Sequence, residues 1–209
     1  MTRLYKGLWS EVESYVVNDV VLNDYKFYLA LQNNTNSEPV NGNWEALTAI
    51  SNLCYIIQEK MGIANDRIFI YNQDFKVPQV KGLFIVIQYN SSEVMSNTAR
   101  IVGEEDSMKE ELTLLTKENL TINLMSKDDS ARLRKEEVFF ALSSTFAEQQ
   151  QEIYNIKIAE LSSSFTNVSE LEGEGMLNRF AIDISLFSWF KKENPIEFYD
   201  TFTNNTIAE

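Results

Sequence analysis

The chain has 209 residues, 44% of them apolar and 23% charged, with 31 acidic against 18 basic side chains and a formal net charge of −13. That balance is typical of a soluble globular protein, with room for one ordinary domain plus a small module, and it disfavours broad attraction to nucleic acid phosphate or anionic lipid. There is no histidine and a single cysteine, Cys54, which removes at once the commonest general base, the commonest metal ligand, intrachain disulfides and thiolate zinc sites.

Residues 1–45 read as a small all-β module. The opening MTRLYKGLWSEVES has no apolar core of signal-peptide length, and the longest apolar run, LFIVI at residues 83–87, is far too short to cross a bilayer. The expectation is a protein made and kept in a cytoplasm, with no membrane partner. SYVVNDVVLNDYKFYLAL predicts two short strands joined around Asn23 and Asp24, residue types that tolerate the positive φ of a tight hairpin. QNNTNSEPVNGN follows as a loop by composition. Trp9 and Trp44 bracket the module and give a small unit large side chains to bury.

Residues 46–62 predict a helix. Leu47, Ile50, Leu53, Cys54, Ile57 and Met61 recur at spacings of three and four, forming one apolar stripe, and Gly62 suits a stop. Little linker separates this helix from the module, so the two are expected to be rigidly joined. Cys54 lies among Leu53, Tyr55, Ile56 and Ile57 and reads as a small buried apolar residue.

A short strand is predicted at 67–71 and a stronger one at 79–89, with 93–102 pairing back on it. GEEDS at 103–107 reads as an acidic turn. Leu120, Ile122 and Leu124 point inward and Thr121 and Asn123 outward in a half-buried strand. Asp128, Asp129 and Ser130 offer caps for a helix over about 130–150, with Ala131, Val138, Phe139, Leu142 and Phe146 as its apolar face. Arg132, Arg134 and Lys135 are interleaved with acids and read as a solvated face. A strand is predicted at 155–165, a flexible loop at 166–177 and a strictly alternating strand at 178–190, with Phe180, Ile182, Ile184 and Leu186 on one side. The polar tail from 191 is expected to be mobile or to dock on a partner. The sum is an α+β chain: an antiparallel sheet flanked by helices, preceded by a small all-β module.

Catalytic patterns are not evident. The carboxylate pairs Glu104-Glu105, Glu110-Glu111, Asp128-Asp129 and Glu136-Glu137 are sequence neighbours, whereas a glycosidase needs two carboxylates about 5 to 9 Å apart across a cleft. No Gly-x-Ser-x-Gly elbow, phosphate loop or calcium loop occurs. Asp183, inside an alternating strand, reads as a hydrogen-bonded carboxylate on a polar sheet face, or as part of a subunit contact. The expectation is a protein that is not an enzyme, with no cofactor, no metal and no catalytic residue.

Two resemblances add to this. Trp9, Tyr15, Asn18-Asp19-Val20-Val21, Phe27-Tyr28-Leu29-Ala30, Pro39 and Trp44 follow the order seen in small chitin- and cellulose-binding modules, with Asn18 where that pattern usually has glycine. The first 45 residues therefore resemble a carbohydrate-binding domain of types 5 and 12, and the resemblance names Trp9, Tyr25 and Tyr28 as the candidates for stacking on a glycan. Residues 46–190, with the early helix, the antiparallel sheet, ARLRKEEVFFALSS and the final NRFAIDISLFSW, resemble bacteriophage tail-terminator and neck proteins; the domain is taken to run from 46 to 209. That resemblance implies a virion structural protein assembled in the host cytoplasm. It would be a ring homo-oligomer, often a hexamer, at the head-proximal end of the tail, contacting the tail tube, connector or neck proteins, with DNA passing through the lumen without specific binding. The alternative from another class is a carbohydrate-binding adhesin or decoration protein acting through the N-terminal module.

Overall fold

Alternating Val and aromatic residues near the N-terminus do build a sheet. A computed structural model describes residues 3–23, 26–39, 42–70, 81–103, 108–172 and 175–195. The first elements are β1 (Leu4–Leu8), β2 (Ser14–Tyr15), β3 (Asp19–Asn23), β4 (Lys26–Ala30), β5 (Asn34–Thr35) and β6 (Trp44–Ala46). They form a four-stranded sheet in the order β1-β3-β4-β6 and a separate β2-β5 ribbon. The pairing of Asn23 with Lys26 puts two residues between β3 and β4, as a tight hairpin requires; residues 24 and 25 lie outside the described part. β1 runs parallel to β3. Tyr15, Val21, Ala30 and Trp44 make the module's core, with Trp9 and Tyr28 packed against it. The Tyr15 and Trp44 rings meet edge to face at 5.3 Å, and the Trp44 indole N–H donates to the Ser37 carbonyl at 2.9 Å. Asn18 has φ +73°, a left-handed conformation that glycine adopts freely and asparagine tolerates better than most residues.

Thr48 starts helix α1 (Ala49–Met61): its hydroxyl accepts from the Ser51 amide while the Ser51 side chain accepts from the Thr48 amide. Gly62 ends it at φ +62°, where a residue without Cβ is cheapest. Beyond β7 (Ile68–Ile70) come two long strands, β8 (Phe84–Val102) and β9 (Lys109–Ser126), then α2 (Ser130–Leu142), α3 (Thr145–Ile153), β10 (Ile156–Leu161), β11 (Thr166–Asn167), β12 (Glu170–Glu172) and β13 (Gly175–Pro195). The large sheet has the order β10-β13-β9-β8-β7, with β11 and β12 also paired to β13. Its pairings are antiparallel except β7 with β8, which is parallel. The three helices cover one face. There Leu53, Ile56 and Ile57 of α1 and Val138 and Leu142 of α2 meet Ile85, Ile87, Leu120, Ile122, Leu124, Ile182, Ile184 and Leu186. A smaller cluster of Phe84, Val86, Met125 and Leu177, with Phe69 against it, forms separately.

Four expectations are corrected. Residues 93–102 are no separate hairpin partner: they continue β8, whose register shifts at 89–91 and 94–96 mark bulges. A bulge adds a residue and breaks the period-two pattern that signals a strand. The helix expected over 130–150 is two helices, because the Ser144 hydroxyl accepts from the Ala147 amide at 3.2 Å and caps a new start. Phe139, placed on the inner face by spacing, is 39% exposed. The loop expected at 166–177 contains β11 and the β12–β13 hairpin. The acidic turn falls mostly on residues 104–107 and the tail on residues 196–209, both outside the described part; residues 191–195 belong to β13.

The module is not a free appendage. Val20 of β3 shares a buried cluster with Tyr154 and Ile156, joined by Phe27, Leu29, Leu47 and Ile153. Arg3 adds polar ties: its amide donates to the Tyr55 hydroxyl at 3.0 Å, its guanidinium to Asn52 Oδ1 at 3.1 Å, and it stacks over the Tyr55 ring.

Candidate functional site

Two of the three aromatic candidates for glycan stacking, Trp9 and Tyr28, are half-buried. Both pack against the core of Tyr15, Val21, Ala30 and Trp44. Tyr25 lies outside the described residues. Among the described residues no group of three or more His, Cys, Asp or Glu could hold a metal ion, and no helix is long and apolar enough to cross a membrane. Burial pushes the Cys54 thiol up to about 12, which leaves almost no thiolate at neutral pH.

Asp183 sits where alternation put it, on the sheet face away from the helices. It accepts from the Thr121 hydroxyl at 2.7 Å, which in turn accepts from Asn90 at 2.9 Å. One step along, Ser185 donates to Asn119 Oδ1 at 2.8 Å, and Asn119 Nδ2 donates to Ser91 at 3.1 Å. Arg179 donates to Asn123 at 3.0 Å. These ladders cross β13, β9 and β8 and form an internally paired polar band across the middle of that face, between the buried Phe84, Val86, Met125 and Leu177 at one end and Phe187 and Trp189 on the arm.

The distinctive surface is where the sheet outruns its helices. The helix-covered core stops at Ile87, Leu120 and Leu186. Past that level β8, β9 and β13 continue as a three-stranded arm, in unbroken register down to Val102, Lys109 and Pro195 apart from the β8 bulges. At about 3.3 Å per residue, residues 109–119 alone reach roughly 35 Å. Every residue of β8 from 89 to 101 is exposed. The arm nonetheless carries Val94, Met95, Ile101, Trp189 and Phe190, between 39% and 64% exposed. Strand alternation puts Phe190 on the face of Leu186 and Ser188, and Phe187 and Trp189 on the other; the latter two rings lie 6.4 Å apart. Glu111 ties the arm crosswise. Its carboxylate accepts from Arg100 on β8 and from Lys191 on β13, and these hydrogen bonds, led by that from Lys191, hold it below the usual carboxylate range.

At the root of the arm a groove of about 630 Å3 opens between the N-terminal sheet and the main body. Leu22, Phe27 and Leu47 wall it on one side, Ala49 and Asn52 at the first turn of α1, Tyr154 and Ile156 at the start of β10, and Glu118, Ser188 and Phe190 on the arm. The Ser188 hydroxyl is buried and has no hydrogen-bond partner among the described residues, and burial raises the Glu118 carboxyl above its usual range. Sequence reading singled out neither. Both belong to strands read as half-buried sheet, and the far wall of the groove is contributed by residues about a hundred positions away.

No protein-family model matches this chain, and no curated protein matches it.

Proposed function

We propose that the chain is a virion structural protein, a subunit of a ring at the head-proximal end of a phage tail, as terminator or neck component joining tail to connector. The observation that carries this reading is the arm. A three-stranded extension with uncovered apolar residues on both faces is poorly suited to life as a monomer, since such surface normally finds a partner. Its reach beyond the helical body suits a part laid against neighbouring subunits. Head-to-tail contacts between identical chains close into rings when their rotation allows.

The internally paired polar band across the middle of the uncovered sheet face supports a lumen wall in the same reading. Side chains already bonded to one another, in a chain of net charge −13, hold phosphate weakly and let DNA pass without specific binding. The protein then works through surfaces and has no bond to make or break. Mass measurement and negative-stain imaging of the purified protein, alone and with tail tubes, test it. Annular particles or end-capped tubes are expected; a strict monomer in both preparations refutes the proposal.

A further inference from the structure

We infer that the groove at the root of the arm is the socket for α2 of a second copy of this chain, with Leu133 and Phe140 as the inserted side chains. This rests on the ring reading above and names its contact surfaces.

α2 is apolar on two sides. Ala131, Val138 and Leu142 face the core, yet Leu133 and Phe140 are 67% and 74% exposed. They stand seven residues apart, hence on one face and about 10 Å apart along the axis. Glu136, exposed, lies between them on the same stripe. A surface helix ordinarily turns polar residues outward, so this ridge lacks the partner its chemistry asks for.

The groove has the complementary shape and chemistry. Its volume of about 630 Å3 accommodates two large side chains, and Leu22, Phe27, Leu47 and Phe190 give it apolar walls. The buried Ser188 hydroxyl needs a partner, and Glu136, set between the two apolar knobs and paired within its own helix only to Lys135 through one oxygen, has a second carboxylate oxygen to supply as acceptor. Lys26, exposed on the rim of the groove, offers that carboxylate a cation, while Lys191 on the same lining is engaged by Glu111. One chain cannot fill its own groove. The groove adjoins the first turn of α1 through Ala49 and Asn52, whereas Arg134, next to Leu133, donates to the carbonyl of Met61 at the last turn, at 2.7 Å. Ridge and groove are thus at opposite ends of a helix about 20 Å long, the arrangement that joins copies head to tail. Leu133 and Phe140 with the facing walls come to roughly 300 Å2 a side, and the adjoining arm extends this toward the roughly 800 Å2 per partner of a stable interface.

The test uses two surface variants of the full chain. Phe140→Asp spoils the ridge, and Ala46→Arg, at an exposed position lining the groove, blocks the socket; Lys26→Trp blocks it again should Ala46→Arg fail to fold. Each alone should raise the concentration needed for assembly by more than roughly tenfold, as loss of a buried aromatic anchor does. Mixed in equal amounts, they should form dimers and nothing larger, because one good ridge and one good groove remain between them. If folded variants assemble like the wild type, the interface is elsewhere and this inference is overturned while the ring reading stands. If each variant is dead and the mixture stays monomeric, the contact is not ridge to groove. If the wild type itself never assembles, with or without tail tubes, both readings fall.

Discussion

Phe27 and Tyr154 meet edge to face across the boundary between the N-terminal sheet and the main body, with ring centroids 5.2 Å apart and planes at 82°. The residues are 127 positions apart in the chain, and their contact sits within the cluster that docks the module. Edge-to-face pairs contribute beyond the area they bury. Phe27→Ala is expected to cost about 2 kcal/mol, below the usual range for a fully buried Phe because the ring is half-exposed. Urea unfolding measures it. The module should also become easier to cleave from the body by limited proteolysis, while Lys26→Ala, one residue away and exposed, changes neither.

The Arg100–Glu111–Lys191 cluster predicts a pH response of the arm. A carboxyl held below its ordinary range contributes stability that is present above the unfolded value and lost as pH falls through the folded one. Amides of β8 and β13 near residues 100 and 191 should therefore exchange slowly at pH 7 and open as pH drops below about 4. Glu111→Gln should produce the open behaviour already at pH 7. Amides of Ile122 and Ile182, deep in the helix-covered part of the sheet, should not respond.

Cys54 tests the packing of α1. With its thiol pushed up to about 12 by burial, the nearby Arg3 charge opposing only part of this, a thiol reagent should label the native protein at pH 8 at least roughly a hundredfold slower than the unfolded chain. The same shift means that the unfolded thiol ionises first, so stability falls as pH rises above the ordinary thiol range. Arg3→Ala, which removes the guanidinium from Asn52 and from the Tyr55 ring while keeping the backbone amide bond to the Tyr55 hydroxyl, should speed labelling if the Arg3 side chain helps to close this site.

Local signals were strong where one face of an element is buried. The stripe of Leu53, Ile57 and Met61, stopped by Gly62, and the inward sets Leu120/Ile122/Leu124 and Ile182/Ile184/Leu186 read directly from the residues, because the core imposes a period on them. The arm did not. YNSSEVMSNTAR is exposed on both faces and twice bulged, so no period survives, and its polar residues imitate a turn. The division of α2 from α3 was legible in principle, since Ser144 is a residue type that favours a helix start, but an apolar spacing that ran on through Phe146 masked it. The groove was not legible at all: its walls come from residues 22–52, from Glu118 and from the region of 152–191, and only the tertiary fold brings them together.

Gln151 is the clearest case of one buried side chain joining two elements. It is 7% exposed on α3; its Nε2 donates to the Ala147 carbonyl at 3.1 Å, and its Oε1 accepts from the Ile158 amide of β10 at 2.8 Å. Ile158 stands where the β10–β13 register shifts, so its amide depends on a side-chain acceptor. Gln151→Leu keeps the volume and removes that acceptor, stranding a backbone N–H away from water, which should cost about 1–3 kcal/mol in urea unfolding. Gln151→Glu keeps the acceptor but loses the donor and sets a charge beside the Ala147 carbonyl. Its deficit should therefore be large at pH 7 and shrink at pH 4, as the carboxyl takes up a proton and can donate again. A Leu variant as stable as the wild type would mean that water or a backbone shift satisfies Ile158. A Glu variant without pH dependence would mean that the carboxylate escapes to solvent and that α3 is not latched to β10 through this side chain.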